Sequence, residues 1–306
     1  MSAIKQSKGD RVFNAVNIIL MILIMLIMLY PLYFTVIASV SDPYAVANGQ
    51  VSLLPIRFTL EPYQNVFKES RIWIGYRNTL FYTVLGTVWN LILTIPAAYV
   101  LSKKKLHGRT FISIYFLIPM YFSGGLIPTY LQVKSMDLLN KPYTLIILGG
   151  LSIYNMIVTR VYFQTSIPED LYESAYIDGA SIFRQFFQIA LPLATPIIAV
   201  MTLFYAVGRW NDYFTALIYI TDVNLHPLQI VLRGILLLNQ TALDTLDTNS
   251  LNPNDTEYML ELARKTYMAE GMKYSLIFIA SAPLLIAYPF VQKYFVKGMM
   301  IGSLKG

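Results

Sequence analysis

Ser166-Ile-Pro-Glu-Asp-Leu-Tyr-Glu-Ser-Ala-Tyr-Ile-Asp-Gly-Ala-Ser-Ile-Phe-Arg-Gln-Phe-Phe-Gln-Ile-Ala-Leu-Pro192 is the stretch on which the reading of this chain turns. Ser166 and Glu169 have the Ser-x-x-Glu spacing of a capping box, and Pro168 falls in the first turn, where a missing N–H costs nothing. A helix is therefore predicted to start there. Glu169, Asp170 and Glu173 lie near its positive end, and Leu171, Tyr172, Ala175 and Tyr176 form an apolar stripe. Gly179 supplies the left-handed residue that ends such a helix, and Ser181 caps a second helix running to near Pro192. A helix lying on a bilayer surface would carry lysine and arginine on its polar face. This one is acidic, and a carboxylate-rich knob suits a basic protein socket better.

On both sides of this loop the chain is apolar. Of its 306 residues 56% are hydrophobic and 13% charged, an excess that a soluble core of this size does not absorb. Hydropathy averaged over ~19 residues gives six candidate spans, at 12–40, 76–101, 111–131, 143–163, 191–220 and 272–295. Each exceeds the ~20 residues that cross ~30 Å of hydrocarbon at about 1.5 Å per residue. Helices are the only open-chain solution, because lipid cannot satisfy exposed backbone groups. The run from Ile18 to Leu29 follows Lys5, Lys8 and Arg11. It is longer than the apolar part of a signal peptide and no small-residue cleavage site follows, so a retained helix is expected, bent at Pro31. The expectation is an all-α, polytopic membrane protein with six transmembrane helices, one membrane domain over 12–306 following a tail of residues 1–11.

Lys103, Lys104, Lys105 and Arg109 crowd the link between the second and third spans, and Lys293, Lys297 and Lys305 follow the sixth. That bias places this link, both termini and the acidic loop in the cytoplasm, with 41–75 and 221–271 external. Lys134 and Lys141 on the opposing link temper it. The second external segment opens with the apolar stretch from Pro227 to Leu238, too short to span, and turns are expected at Asn249 and from Asn252 to Asp255. Net charge is +6, but the basic residues flank apolar runs instead of forming a patch, so no nucleic-acid partner is predicted. Cysteine is absent, which removes disulfides, thiolate metal sites and cysteine nucleophiles. His107 and His226 lie far apart without ligand-like neighbours, so no metal site is predicted. The chain has no G-x-x-x-x-G-K-[ST] sequence, and ATP hydrolysis would have to come from a separate protein.

Glu173, Ala175, Gly179, Ile189, Leu191 and Pro192 reproduce the E-A-A-x3-G-x9-I-x-L-P signature of binding-protein-dependent ABC importer permeases, with Ser174 in place of the first alanine. The resemblance extends over nearly the whole chain. It is closest to the sugar branch, the inner permeases of the maltose type, and within it to LplC-type polysaccharide and oligosaccharide permeases, which have the MetI-like fold. It is carried by Asn78-Thr-Leu, Ala98-Tyr-Val-Leu-Ser102, Ser123-Gly-Gly-Leu-Ile-Pro-Thr-Tyr130, Ile177-Asp-Gly-Ala-Ser181, Trp210-Asn211, Pro227-Leu-Gln229 and Tyr288-Pro-Phe-Val-Gln-Lys-Tyr-Phe-Val-Lys-Gly298, in that order.

What the resemblance implies is specific. The loop 164–192 would be a coupling loop seated in a cleft of an ATPase subunit. Glu169, Glu173, Ser174, Ala175, Asp178, Gly179, Ala180, Leu191 and Pro192 would make the contact, with Glu173 facing basic residues of the ATPase and Gly179 supplying the turn. Two copies of that ATPase would bind ATP and Mg2+, while this chain binds no cofactor and is no enzyme by itself. A second, homologous permease subunit, an extracellular sugar-binding lipoprotein and an oligosaccharide substrate complete the implied set, in a bacterial plasma membrane.

For the sugar path the residues offer pairs of ring and amide: Trp89 with Asn90, Tyr154 with Asn155, and Arg209, Trp210, Asn211, Asp212 and Tyr213 within the fifth span. Ionisable groups in a membrane are costly enough to suggest a function. Arg209 and Asp212, at i and i+3, can equally neutralise each other on one helix face, and aromatic residues at span ends also serve the interfacial belt. Three rivals stand against the sugar importer. A secondary transporter would need coupling-ion carboxylates near the midplane, which are scarce here. An intramembrane hydrolase would need a catalytic set that the spans lack. Within the ABC class, a peptide or amino-acid permease is the remaining reading.

Overall fold

The computed structural model describes residues 7–244 and 256–303; among them the chain is helical, without strand. It divides into two compact units, Met1–Glu69 with Gly234–Ser281 and Ser70–Arg233 with Ala282–Gly306. In the first, α1 (Lys8–Ser39) opens with a reciprocal capping box, Asp10 N donating to Ser7 Oγ at 3.1 Å and Ser7 N to the Asp10 carboxylate at 3.0 Å. Pro31 stays within it. Its most apolar stretch is not buried at all within the chain, as a lipid-facing or subunit-facing helix requires. Only its last turn, Ile37 to Ser39, is buried, against α2 (Pro43–Ala47) and Val51. Beside it α3 (Glu61–Lys68) pairs Glu61 with Arg264 at 3.2 Å, and Gly271 lies so close to Pro43 and Pro62 that a Cβ would stand 2.9 Å from the first ring.

The second unit is organised on α4 (Ser70–Ser102), one helix of 33 residues that continues through Pro96. Then come α5 (Arg109–Tyr121), α6 (Leu126–Ser135), α7 (Thr144–Ile147), α8 (Ile153–Ser166), α9 (Asp170–Ile177), α10 (Ile182–Arg184), a π-helical stretch Gln185–Ala190, α11 (Leu191–Leu193), α12 (Thr195–Trp210) and α13 (Phe214–Tyr219). A 3-10 turn, Val223–Leu225, precedes α14 (Leu228–Asp244) and α15 (Thr256–Ser303). The core lies where α4, α8 and α12 meet, around Ile95, Tyr99, Met156, Phe163, Met201 and Tyr205. At the other end of α4, Asn78 donates to the carbonyls of Asn224 and His226 and Tyr82 to that of Leu225, which fixes the 3-10 turn.

The expected spans are corrected at three places. The third is two helices, α5 and α6, bent by 111°, with Gly125 at φ +85 in the break. The fourth holds only the short α7 and α8, separated by the non-helical segment 148–152, which includes Gly149 and Gly150. The fifth is α11, a 76° bend, α12 and then α13 after a break at 211–213. Among the described residues three helices are long and apolar enough to cross a bilayer alone, Lys8–Ser39, Ser70–Ser102 and Thr266–Pro289, and up to five crossings result if each bent pair counts as one. Hydropathy averaged over ~19 residues does not register such breaks, since each is only a few residues long and shifts the mean too little, while a glycine in one frees the backbone to leave the helix. The turns expected at 249–255 lie outside the described residues.

Candidate coupling knob and intramembrane polar node

The acidic loop folds as helix, turn and helix, but its start is not where the capping-box spacing put it. Ser166 is the last residue of α8, Ile167 is extended and buried, and α9 begins at Asp170 with Glu169 as an N-cap that makes no capping bond. Glu169 is turned away to Lys104, 3.2 Å from its Nζ. One turn on, Glu173 meets Lys105 at 3.3 Å. Lys103 Nζ sits over the ring of Tyr172, 2.8 Å from its centroid, and 4.7 Å from that of Tyr99. Partial burial pushes the Lys103 ammonium down to about 8, against the opposing pull of Glu169. Burial, with Tyr99 adjacent, pushes the Tyr172 phenol up, and it stays protonated.

The far end of α9 is as expected. Gly179 has φ +76, its N–H reaches the Tyr176 carbonyl at 3.0 Å, and Ala180 N–H reaches that of Ala175 at 2.9 Å. That pair of bonds is the Schellman closure, which satisfies carbonyls the helix end would leave open. Nothing lies within 4 Å of the place a Gly179 Cβ would take. Ser181 Oγ accepts from Arg184 N at 3.3 Å and starts the second helix, which runs through the π-helical stretch to Leu193. Ser174 folds its hydroxyl onto the Leu171 carbonyl, Ala175 is buried, Asp178 and Pro192 are exposed, and Leu191 packs half-buried on the core. A cavity of about 810 Å³ lies between the end of α4 and the knob, with Tyr99, the three lysines and His107 on one side and Glu169, Tyr172, Glu173, Tyr176 and Gln185 on the other.

Deeper in the same unit the polar residues of the spans converge. Arg209, on α12, donates from Nε to Asn90 Oδ1 at 3.0 Å and from its terminal nitrogens to the carbonyls of Leu145 (2.6 Å), Ile146 (3.1 Å) and Gly149 (3.4 Å). Asn90 Nδ2, from α4, donates to the carbonyls of Gly149 and Gly150 at 2.7 Å each. One guanidinium and one amide thus satisfy the carbonyls freed where the fourth span is broken, which hydrocarbon cannot do. Asp212 makes no direct ion pair with Arg209: its Oδ1 accepts Thr215 N at 3.1 Å in the first turn of α13, and its charge acts on the guanidinium only at longer range. Close packing is built in, since a Cβ on Gly86 would stand 2.9 Å from Arg209 Nε and one on Gly150 2.7 Å from Trp89 Nε1. A cavity of about 240 Å³ adjoins, lined by Asn90, Phe204, Tyr205, Arg209, Asp212 and Thr215 among others.

Of the other sugar-path candidates, Trp210 is buried with Tyr76 at its edge, and Asn211 caps α12 with Nδ2 on the Val207 carbonyl. Tyr213 carries Arg233 over its ring at 4.6 Å. Tyr154 is exposed and Asn155 buried in the first turn of α8, neither of them on the cavity. Sequence reasoning missed Phe204, Tyr205 and Thr215, which carry no charge to mark them. Lys103 to Lys105 read in the sequence as topology signals alone.

Long apolar helices, a polar node that supports broken ones, and a charged knob projecting from them define a helical membrane-embedded protein of transport type. The chain belongs to the binding-protein-dependent transport system inner membrane component family, which it matches over residues 72–301; it is a permease subunit of an ABC importer. Over 302 residues it is 38% identical to protein LplC of Bacillus subtilis, covering 98% of this chain and 97% of that one. It is 36% identical to the polygalacturonan/rhamnogalacturonan transport system permease protein YtcP of the same organism, over 88% and 90% of the two chains. Among solved structures it is similar to a chain of a bacterial ABC transporter involved in the import of the acidic polysaccharide alginate, with a TM-score of 0.82, 34% identity and coverage of 96% of this chain and 100% of that one. The MetI-like permease fold and the family read from the signature are thereby established.

Proposed function

We propose that this chain is one of two homologous permease subunits that move an oligosaccharide, delivered by an extracellular sugar-binding lipoprotein, across the bacterial plasma membrane. The observation that carries the sugar reading is likeness over almost the full length to permeases for polygalacturonan and rhamnogalacturonan and for alginate, together with 27% identity to the maltodextrin permease MalD of Streptococcus pneumoniae. The cargo is an oligosaccharide, with uronic-acid chains the first to test.

In this reading the membrane domain, 12–306, crosses six times, with bent pairs counted as single crossings and α7 with α8 as another. Both termini are cytoplasmic, and 41–75 and 221–271 are external. Two copies of a separate ATPase bind ATP and Mg2+, and this chain catalyses no reaction. The loop 164–192 seats α9 and the Gly179 turn in a cleft of the ATPase. Glu173 uses one carboxylate oxygen for Lys105 and still accepts from a basic residue of that partner, since a carboxylate takes several donors. Sugar passes the small cavity beside Asn90, Tyr205, Asp212 and Thr215.

Purification of the tagged chain from its host should bring down an ATPase, a second permease and a sugar-binding lipoprotein. Uptake of a labelled oligogalacturonide by the reconstituted complex should require internal ATP and survive collapse of proton and sodium gradients. Uptake that follows those gradients and ignores ATP, or recovery of a peptide-binding partner, overturns the reading.

A further inference from the structure

The three lysines that follow α4 are consecutive, yet each meets a different group on one face of α9. Lys104 pairs with Glu169, Lys103 lies on the Tyr172 ring and Lys105 pairs with Glu173. Residues 169, 172 and 173 are spaced by three and four, so they share a helix face. Beneath them the Tyr99 ring, one turn back on α4, contacts Tyr172, Phe163 and Phe186 at 6.0, 5.6 and 4.9 Å. The knob is thus tied to α4 by a buried aromatic seat and an outer row of cations.

We propose that Lys103, Lys104 and Lys105 are positioning residues that clamp the coupling helix to the end of α4 within this chain, so that displacement of α9 reaches the Asn90–Arg209 node along α4. The inference rests on the reading of α9 as the coupling helix. The covalent route from α9 toward Arg209 runs through the Gly179 turn, the π-helical stretch and a 76° bend before α12. Each of these can absorb motion. α4 offers a continuous path: Asn90 lies twelve residues before Ser102 on one helix that runs on through Pro96, about 18 Å along its axis. A rigid element between two sites is the part that carries a displacement. Exposed ion pairs are individually weak, worth at most about a fivefold change in an equilibrium. Two pairs flanking a cation on an aromatic ring nevertheless fix the rotation of α9 about its own axis, which one pair would not.

The chain contains no cysteine, so Lys104→Cys with Glu169→Cys gives one defined pair for a short bis-methanethiosulfonate in the assembled importer. We expect the intrachain cross-link to form during ATP turnover and to leave hydrolysis and labelled oligogalacturonide uptake at the level of the same variant before cross-linking. No cross-link, or a cross-link that stops turnover, overturns the clamp. Lys104→Glu should lower the amount of sugar moved per ATP hydrolysed by about fivefold, and Lys104→Arg, which keeps a cation for Glu169, should hold it to within about twofold of the parent. A Lys104→Arg variant no better than Lys104→Glu overturns the clamp as well. If the parent complex moves no sugar at all, the substrate reading fails, while the cross-link and hydrolysis still decide the clamp.

Discussion

Gly179 offers the sharpest test of the coupling knob, because its backbone is constrained while its surroundings are open. Its φ of +76 is left-handed, and no heavy atom lies within 4 Å of a Cβ placed there. Any loss on substitution therefore arises in the backbone, not from steric conflict inside the chain. An L-residue in that conformation costs about 1–2 kcal/mol. Leaving it would break the bonds from Gly179 N to Tyr176 and from Ala180 N to Ala175, together worth about 1–3 kcal/mol. Alanine should accept the strain and keep the turn. Valine, whose β-branch is less tolerant of positive φ, should open it. Asparagine tolerates the left-handed region well and should behave almost as the parent. Uptake by the reconstituted importer should fall slightly for Gly179→Asn, about tenfold for Gly179→Ala and below detection for Gly179→Val, since 1.4 kcal/mol is about a factor of ten. Membrane insertion, read from detergent-extracted protein and its gel-filtration profile, should be equal for all three. Equal uptake by the asparagine and valine variants would refute the reasoning, since side-chain tolerance of positive φ would then be irrelevant.

Gly150→Ala should lower the melting temperature of the purified chain more than Gly86→Ala. The added methyl meets the stiff indole of Trp89 and the Ile147 carbonyl in the first case and the more flexible Arg209 side chain in the second; overpacking of this kind costs about 1–3 kcal/mol. Arg209→Lys should destabilise by about 2 kcal/mol, because an ammonium cannot match an amide oxygen and three carbonyls spread over a planar fork; thermal unfolding in detergent checks both. Lys103 gives a pH signature. Its folded value of about 8 lies below the ordinary 10.5, so between them the unfolded chain holds more protons and stability rises with pH. The penalty is complete below pH 8 and relieved by 10.5, and Lys103→Met should flatten that slope in melting curves across this range.

The parts of the knob legible in sequence are those settled by local backbone chemistry. Gly179 and Ser181 act through bonds to neighbours three to five residues away, and both stand where the spacing placed them. Ser166 had the correct spacing too, yet the apolar face of α8 continues through Phe163 to a buried Ile167. Packing there outweighed a cap worth about 1 kcal/mol, and Glu169 took a lysine 65 positions away in place of its own backbone. The node was half legible. Arg209 and Asn90 stand out as polar residues in apolar runs, but their partners are main-chain carbonyls of a different span, which sequence does not mark. Asp212 stands at i+3 from Arg209, a spacing that could pair them on one helix face, but the periodicity fails because α12 ends at Trp210.

That failure bears on how a sugar path can exist in this chain at all. Backbone that leaves the helix inside hydrocarbon exposes carbonyls that lipid cannot satisfy, so such breaks persist only where protein groups or a wet cavity meet them. At 148–152 the Arg209 guanidinium and Asn90 amide meet them, and their hydrogen bonds account for the expense of burying a charge there. Arg209 is therefore held by the fold, with its donors directed at Leu145, Ile146, Gly149 and Asn90. Tyr205 is held likewise, its hydroxyl shared with Thr94 at 2.7 Å. Asp212, whose Oδ1 accepts Thr215 N, and Phe204 also line the adjoining cavity, and in the proposed sugar path they would offer an acceptor to the hydroxyls and an apolar face to the C–H surface. The same helix thus divides its polar residues by role, Arg209 holding the break open and Asp212, just past the helix end, lining the space the break creates.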